Sequence, residues 1–147
     1  MKKSILSALS FIFSSHLAWA GDMTGLWEEY DDDTGKVNAL IRINKTADGT
    51  YEGMVEKVLV KTANNGEAVC SKCAGDLHNR PILGLRILKG MKRKSDNVFD
   101  SGEVLDPDDG RVYPCRIEVM DDGNSLQVTG YLALAWVGQS EIWVRAK

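Results

Sequence analysis

Cys70-Ser71-Lys72-Cys73 is the stretch whose residue types and spacing most directly suggest chemistry. Two thiols at this spacing can close a local disulfide, cycle as a redox couple, or supply half of a metal site. A redox couple of the thioredoxin kind needs its first cysteine at a helix N-terminus, where the thiolate is stabilised. No helical pattern surrounds this pair, so a structural disulfide is the favoured reading. With His78 the two thiols make three metal ligands, where a structural zinc site takes four. The third cysteine, Cys115, falls on the apolar face of a strand. It reads as a buried small hydrophobe, or as the partner of Cys70 or Cys73 in a bridge that pins the loop to the sheet.

Other polar groups offer less. A Ser/His/Asp or Cys/His nucleophile system would depend on His78, and no nucleophile-elbow motif accompanies it. It reads as a solvated loop histidine. The acidic runs Asp31-Asp32-Asp33 and Asp106-x-Asp108-Asp109 invite calcium or glycosidase readings. Neither has the spacing of a helix-loop-helix calcium loop, and both fall where a hairpin turn wants aspartate for capping. No catalytic residue, metal site or cofactor is therefore assigned. Lys92-Arg93-Lys94 is a short basic run that reads as a solvated turn. The chain of 147 residues has a net charge of −3 and no basic face, which argues against nucleic acid as a partner.

These groups must be positioned by what lies around them. Met1 to Ala20 has the three parts of a secretory signal: Lys2 and Lys3, the apolar run Ile5 to Phe13, and Ala18-Trp19-Ala20 as a cleavage site. The apolar run is too short for a membrane-spanning helix, and no membrane span is expected. Cleavage would leave residues 21–147 as one domain, periplasmic or secreted, large enough to bury a core. From there the sequence reads as short alternating segments between turn residues, the pattern of an all-β chain. Strands are predicted at Thr24 to Tyr30, Ala39 to Lys45, Thr50 to Val60, Ile82 to Leu88, Val98 to Leu105, Arg111 to Met120, Ser125 to Leu134 and Gln139 to Ala146. Gly90 to Asn97 is read as a basic turn, and Lys61 to Pro81 as a long connection carrying the cysteine pair.

About eight strands joined in succession by short turns point to a single antiparallel up-and-down β-barrel. Gly25-x-Trp27 at the start and Trp143-x-Arg145 at the end are the expected closure. The glycine admits a close approach, the indoles plug one end, and the guanidinium stacks on Trp27. Phe99, Tyr113, Tyr131 and Trp136 are the aromatics expected to line, or to fill, the interior.

The chain resembles the DUF2147 family of secreted bacterial proteins. The resemblance rests on Gly25-x-Trp27, Asn79-Arg80-Pro81-Ile82-Leu83-Gly84-Leu85, and Gly102-Glu103-Val104-Leu105-Asp106-Pro107-x-x-Gly110-x-x-Tyr113. It continues in Gly130-Tyr131 and Gly138-x-x-x-x-Trp143-x-Arg145. It implies a lipocalin-like barrel and supplies no catalytic residues. The expectation that follows is an exported, non-enzymatic protein binding a small apolar or amphipathic molecule inside the barrel. Two alternatives stand beside it: an interaction module with a filled barrel, and a thiol-redox or metal-binding protein centred on the cysteine pair.

Overall fold

Inward-facing residues alternate with outward-facing ones along most of the strands, with bulges interrupting the pairing in places, and the inward set becomes the core once the sheet closes on itself. The computed structural model describes residues 21–60, 66–132 and 137–147. The predicted signal, residues 1–20, lies outside the described residues, as does Trp136. The strands are β1 (Gly25–Tyr30), β2 (Val37–Lys45), β3 (Tyr51–Val58), β4 (Arg86–Arg93), β5 (Val98–Asp106), β6 (Arg111–Met120), β7 (Ser125–Tyr131) and β8 (Gly138–Arg145). Each pairs antiparallel with the next, and β8 returns to β1, giving a closed barrel in sequence order. The β1–β8 seam is short: Trp27 pairs with Arg145 and Glu28 with Val144.

One end of the barrel is filled. Met23, Trp27, Ile43, Phe99 and Leu126 have no solvent exposure there, and Tyr51 meets Phe99 edge-on with ring centroids 5.0 Å apart. The Trp27 indole N–H donates to the Met23 carbonyl at 2.9 Å. Arg145 crosses this end and donates to three backbone carbonyls: Gly123 at 2.7 Å, Thr24 at 2.9 Å and Asp22 at 2.9 Å. Gly25 is required beneath it. Its φ is +129°, and a Cβ there would stand 2.6 Å from the Arg145 guanidinium.

The fourth strand differs from the sequence expectation. Ile82–Leu85 forms a turn, closed by the Leu85 N–H donating to the Ile82 carbonyl, and the strand runs from Arg86 through Arg93. Gly90 ends nothing. It sits at φ +69° where the β3–β4 register slips, as a glycine bulge inside the strand. Burial of Met91 immediately beyond holds the strand to the core. The basic run accordingly divides between the strand end and the turn. The Arg93 guanidinium lies 4.6 Å from the Phe99 ring, and Lys94 pairs with Asp100 at 3.1 Å.

A candidate binding cavity at the open end of the barrel

At the opposite end the C-termini of β1, β3, β5 and β7 meet the N-termini of β2, β4, β6 and β8, and there the interior is not filled. A cavity of about 510 Å³ opens between them. Its apolar wall includes Ile41, Val55, Ile87, Val104, Val128 and Trp143. All are inward positions on their strands, so the alternation that builds the core of the closed end also builds this wall.

The rim is acidic. Glu29 stands two residues along β1 from the buried Trp27, and Glu141 two residues along β8 from the buried Trp143, so both share the inner face. Asp31, Asp32 and Asp33 come from the β1–β2 turn, and Asp106 and Asp108 from the β5–β6 turn. No lysine, arginine or histidine is among the described lining residues. Burial raises the Glu29 pKa to about 7, aided by the negative charges of Glu141, Asp108 and Asp31, while a hydrogen bond from Asn38 opposes the shift. Burial likewise pushes Glu141 up, with Asp32, Asp106 and Asp108 adding to it. Asp108 is raised by burial and by Asp106, against the pull of Lys72. Carboxylates shifted together in this way mark a cleft where charge is concentrated.

Trp143 is buried on the inner face of β8 and lines this cavity. Its indole N–H has no hydrogen-bond partner, and it alone has this standing among the buried side-chain polar atoms of the described residues. It still acts on the neighbouring Glu141 carboxyl, favouring the ionised form. The N–H therefore lies near that carboxyl without completing a hydrogen bond to it.

The expected lining aromatics separate. Tyr113 lies at the cavity, with its hydroxyl donating to the Asp109 carboxylate. Phe99 does not: it starts β5 at the filled end and is fully buried there. Tyr131 does not either. Leu126, Val128 and Gly130 take the inward positions of β7, which turns Tyr131 to the outside. Sequence reading missed Glu29 and Glu141. The signal was present in the period-2 relation of each to a tryptophan assigned to the interior.

The cysteine pair flanks this same end. Cys70 and Cys73 are joined in a disulfide, and both are buried. The strap they form is held by an isolated bridge between Val69 and Pro81 and by the Cys70 N–H donating to the Arg80 carbonyl. It packs on the β5–β6 turn so tightly that a Cβ on Gly110 would stand 2.1 Å from the Lys72 carbonyl oxygen. His78 serves the strap, its Nδ1 lying 3.2 Å from the Cys73 carbonyl. Cys115 is free and buried, and desolvation, with the Glu141 charge, pushes its thiol up to about 12. It bridges to neither strap cysteine. Among the described residues no three His, Cys, Asp or Glu side chains converge as a metal site.

The solved structure of protein HP1028 from Helicobacter pylori, described as belonging to the lipocalin family, superposes with a TM-score of 0.72 at 16% identity, covering 86% of this chain and 84% of that one. At that identity the likeness shows the fold, a lipocalin-like barrel. No curated protein sequence matches the chain. The family model of uncharacterized proteins conserved in bacteria, DUF2147, matches residues 25–145, from the glycine of the barrel closure to its arginine, and the chain belongs to that family.

Proposed function

We propose that this protein is an exported carrier or sensor that holds one small amphipathic molecule in the open half of its barrel, in the bacterial envelope or outside it. The observation that carries the reading is the cavity: about 510 Å³, apolar within and acidic at its mouth. That volume lies in the range of small-molecule sites, roughly 300–1,000 Å³. The lining has the same character, an apolar wall with a few polar groups that fix orientation. Export is supported by the three-part pattern of residues 1–20. The filled-barrel alternative is supported only at the closed end, where Phe99 and Tyr51 pack. The redox alternative lacks an accessible thiolate, since Cys70, Cys73 and Cys115 are all buried.

Native mass spectrometry of protein purified from its own envelope fraction tests this, together with titration by the neutral fluorophore N-phenyl-1-naphthylamine. The expected result is saturable probe binding at one site, abolished by Val128→Phe in a variant that keeps the native far-UV spectrum. Absence of both a bound small molecule and saturable probe uptake would refute the proposal.

A further inference from the structure

The rim carboxylates and the orphan indole raise one question: which head group would both accept? Seven carboxylates face one opening in a chain whose net charge is only −3. With no cation among the described lining residues, they repel one another, and partial burial of Glu29 and Glu141 leaves that repulsion poorly screened, while Asp108 adds its charge from the exposed rim. An anionic occupant would add to it. A bare metal ion would need three or more of these groups to converge, and among the described residues they do not. A larger cation, spreading its charge over several donors and carrying an apolar body, meets both conditions. The Trp143 N–H supplies the independent sign of an occupant. It is a buried donor at the cavity wall, close to the Glu141 carboxyl but in hydrogen-bond geometry with no group of the protein, and such a donor gains free energy when something accepts from it fully.

We propose that the cavity selects an organic ammonium: a protonated amine engaged by Glu29, Glu141 and Asp108, with a neighbouring hydroxyl or carbonyl oxygen accepting from Trp143 and an apolar body against Ile41, Val104 and Val128. The assignment rests on the reading of the cavity as a binding site and specifies its ligand class. The ammonium donates to carboxylates, the contact type that gains most in a site sheltered from water.

The test compares four probes that share one ring system, titrated calorimetrically at pH 8 into the mature protein: 2-(2-naphthyl)ethylamine, 2-(2-naphthyl)ethanol, 2-naphthylacetate and 2-amino-1-(2-naphthyl)ethanol. A charge-assisted contact predicts that the amine binds at least about tenfold more tightly than the alcohol. The acetate is expected to be the weakest, and the amino alcohol the tightest. In Glu29→Gln/Glu141→Gln the amine-to-alcohol ratio should fall to about one, while Glu56→Gln, on the outer surface in a pair with Arg42, should keep it. Equal binding of amine and alcohol in the native protein would overturn the ammonium assignment and leave the carrier reading intact. An amine preference that survives in the double variant would overturn the role of these carboxylates. Failure of all four probes to bind in protein that still takes up N-phenyl-1-naphthylamine would overturn the ammonium assignment alone, and the carrier reading falls only if that neutral probe fails as well.

Discussion

The Arg145 guanidinium carbon lies 4.1 Å from the centroid of the Trp27 ring, joining the last strand of the barrel to the first. The contact couples three functions in one side chain. It covers the aromatic plug, it extends a short seam, and it satisfies the carbonyls of Asp22, Thr24 and Gly123. Cation–π attraction and hydrogen bonding from a planar fork act together here, and an ammonium reproduces neither well.

Arg145→Lys is therefore expected to cost about 1–3 kcal/mol although the charge is kept. Urea denaturation followed by tryptophan fluorescence measures it, with the native far-UV spectrum as the control for folding. A midpoint unchanged from the parent protein would show that the seam is held by strand pairing alone. The effect on the open end should be small, because the filled half of the core lies between the two.

How much of this was legible in the sequence follows from what alternation can and cannot encode. The strand β6 is read at its observed bounds, Arg111–Met120, because Tyr113, Cys115, Ile117 and Val119 repeat at period 2 between two clear turns. β4 is not, because Gly90 is a turn signal in sequence and a bulge in the barrel, and only pairing with β3 and β5 distinguishes them. Residue type alone suggests Tyr131 for the lining, but the inward parity of Val128 and Gly130 points it outward. Phe99 has inward parity, as the sequence indicates, but nothing local says which end of the barrel it occupies. The acidic turns illustrate the same limit. Asp31 does accept from the Thr34 N–H and Asp106 from the Asp108 N–H, so their capping role is real. That the two turns share a rim with Glu29 and Glu141 arises only when the sheet closes.

The disulfide strap gives a second prediction. A loop of about four residues closed by the Cys70–Cys73 bond constrains the unfolded chain by about 2 kcal/mol in the chain-entropy model. Reduction, or Cys70→Ser/Cys73→Ser, should lower stability by that order without unfolding the barrel. Gly110→Ala should act on the same contact from the other side. Its φ of +75° and the Lys72 carbonyl leave no room for a methyl group, and a cost above about 1 kcal/mol is expected from backbone strain alone. In the native protein Ellman's reagent should find no reactive thiol, since Cys115 is buried and its pKa is near 12. In denaturant without reductant it should find one thiol per chain. Three would mean that the strap is not oxidised in the isolated protein.

The rim gives the third prediction, and its sign follows from linkage. The Glu29 pKa is raised from 4.5 to about 7 on folding, so between those values the native state holds a proton that the unfolded state has released. Stability from this group is fully present below pH 4.5 and is lost as pH rises through about 7. Glu141 and Asp108 shift in the same direction, whereas Asp48, on the β2–β3 turn, is lowered to about 2 by bonds from Thr46 and Thr50 and contributes in the opposite sense, below pH 4. The two groups of carboxylates therefore act in different pH windows. Glu29→Gln removes the ionisation without removing the side chain's volume. It should raise the melting temperature by a few degrees at pH 8 and change it little at about pH 3.5, well below both pKa values, where Glu29 is protonated in both states. A melting temperature raised equally at both pH values would trace the gain to packing and not to charge. Addition of 2-(2-naphthyl)ethylamine at pH 8 should stabilise the parent protein more than the variant, because the cation neutralises the charge that the substitution has already removed.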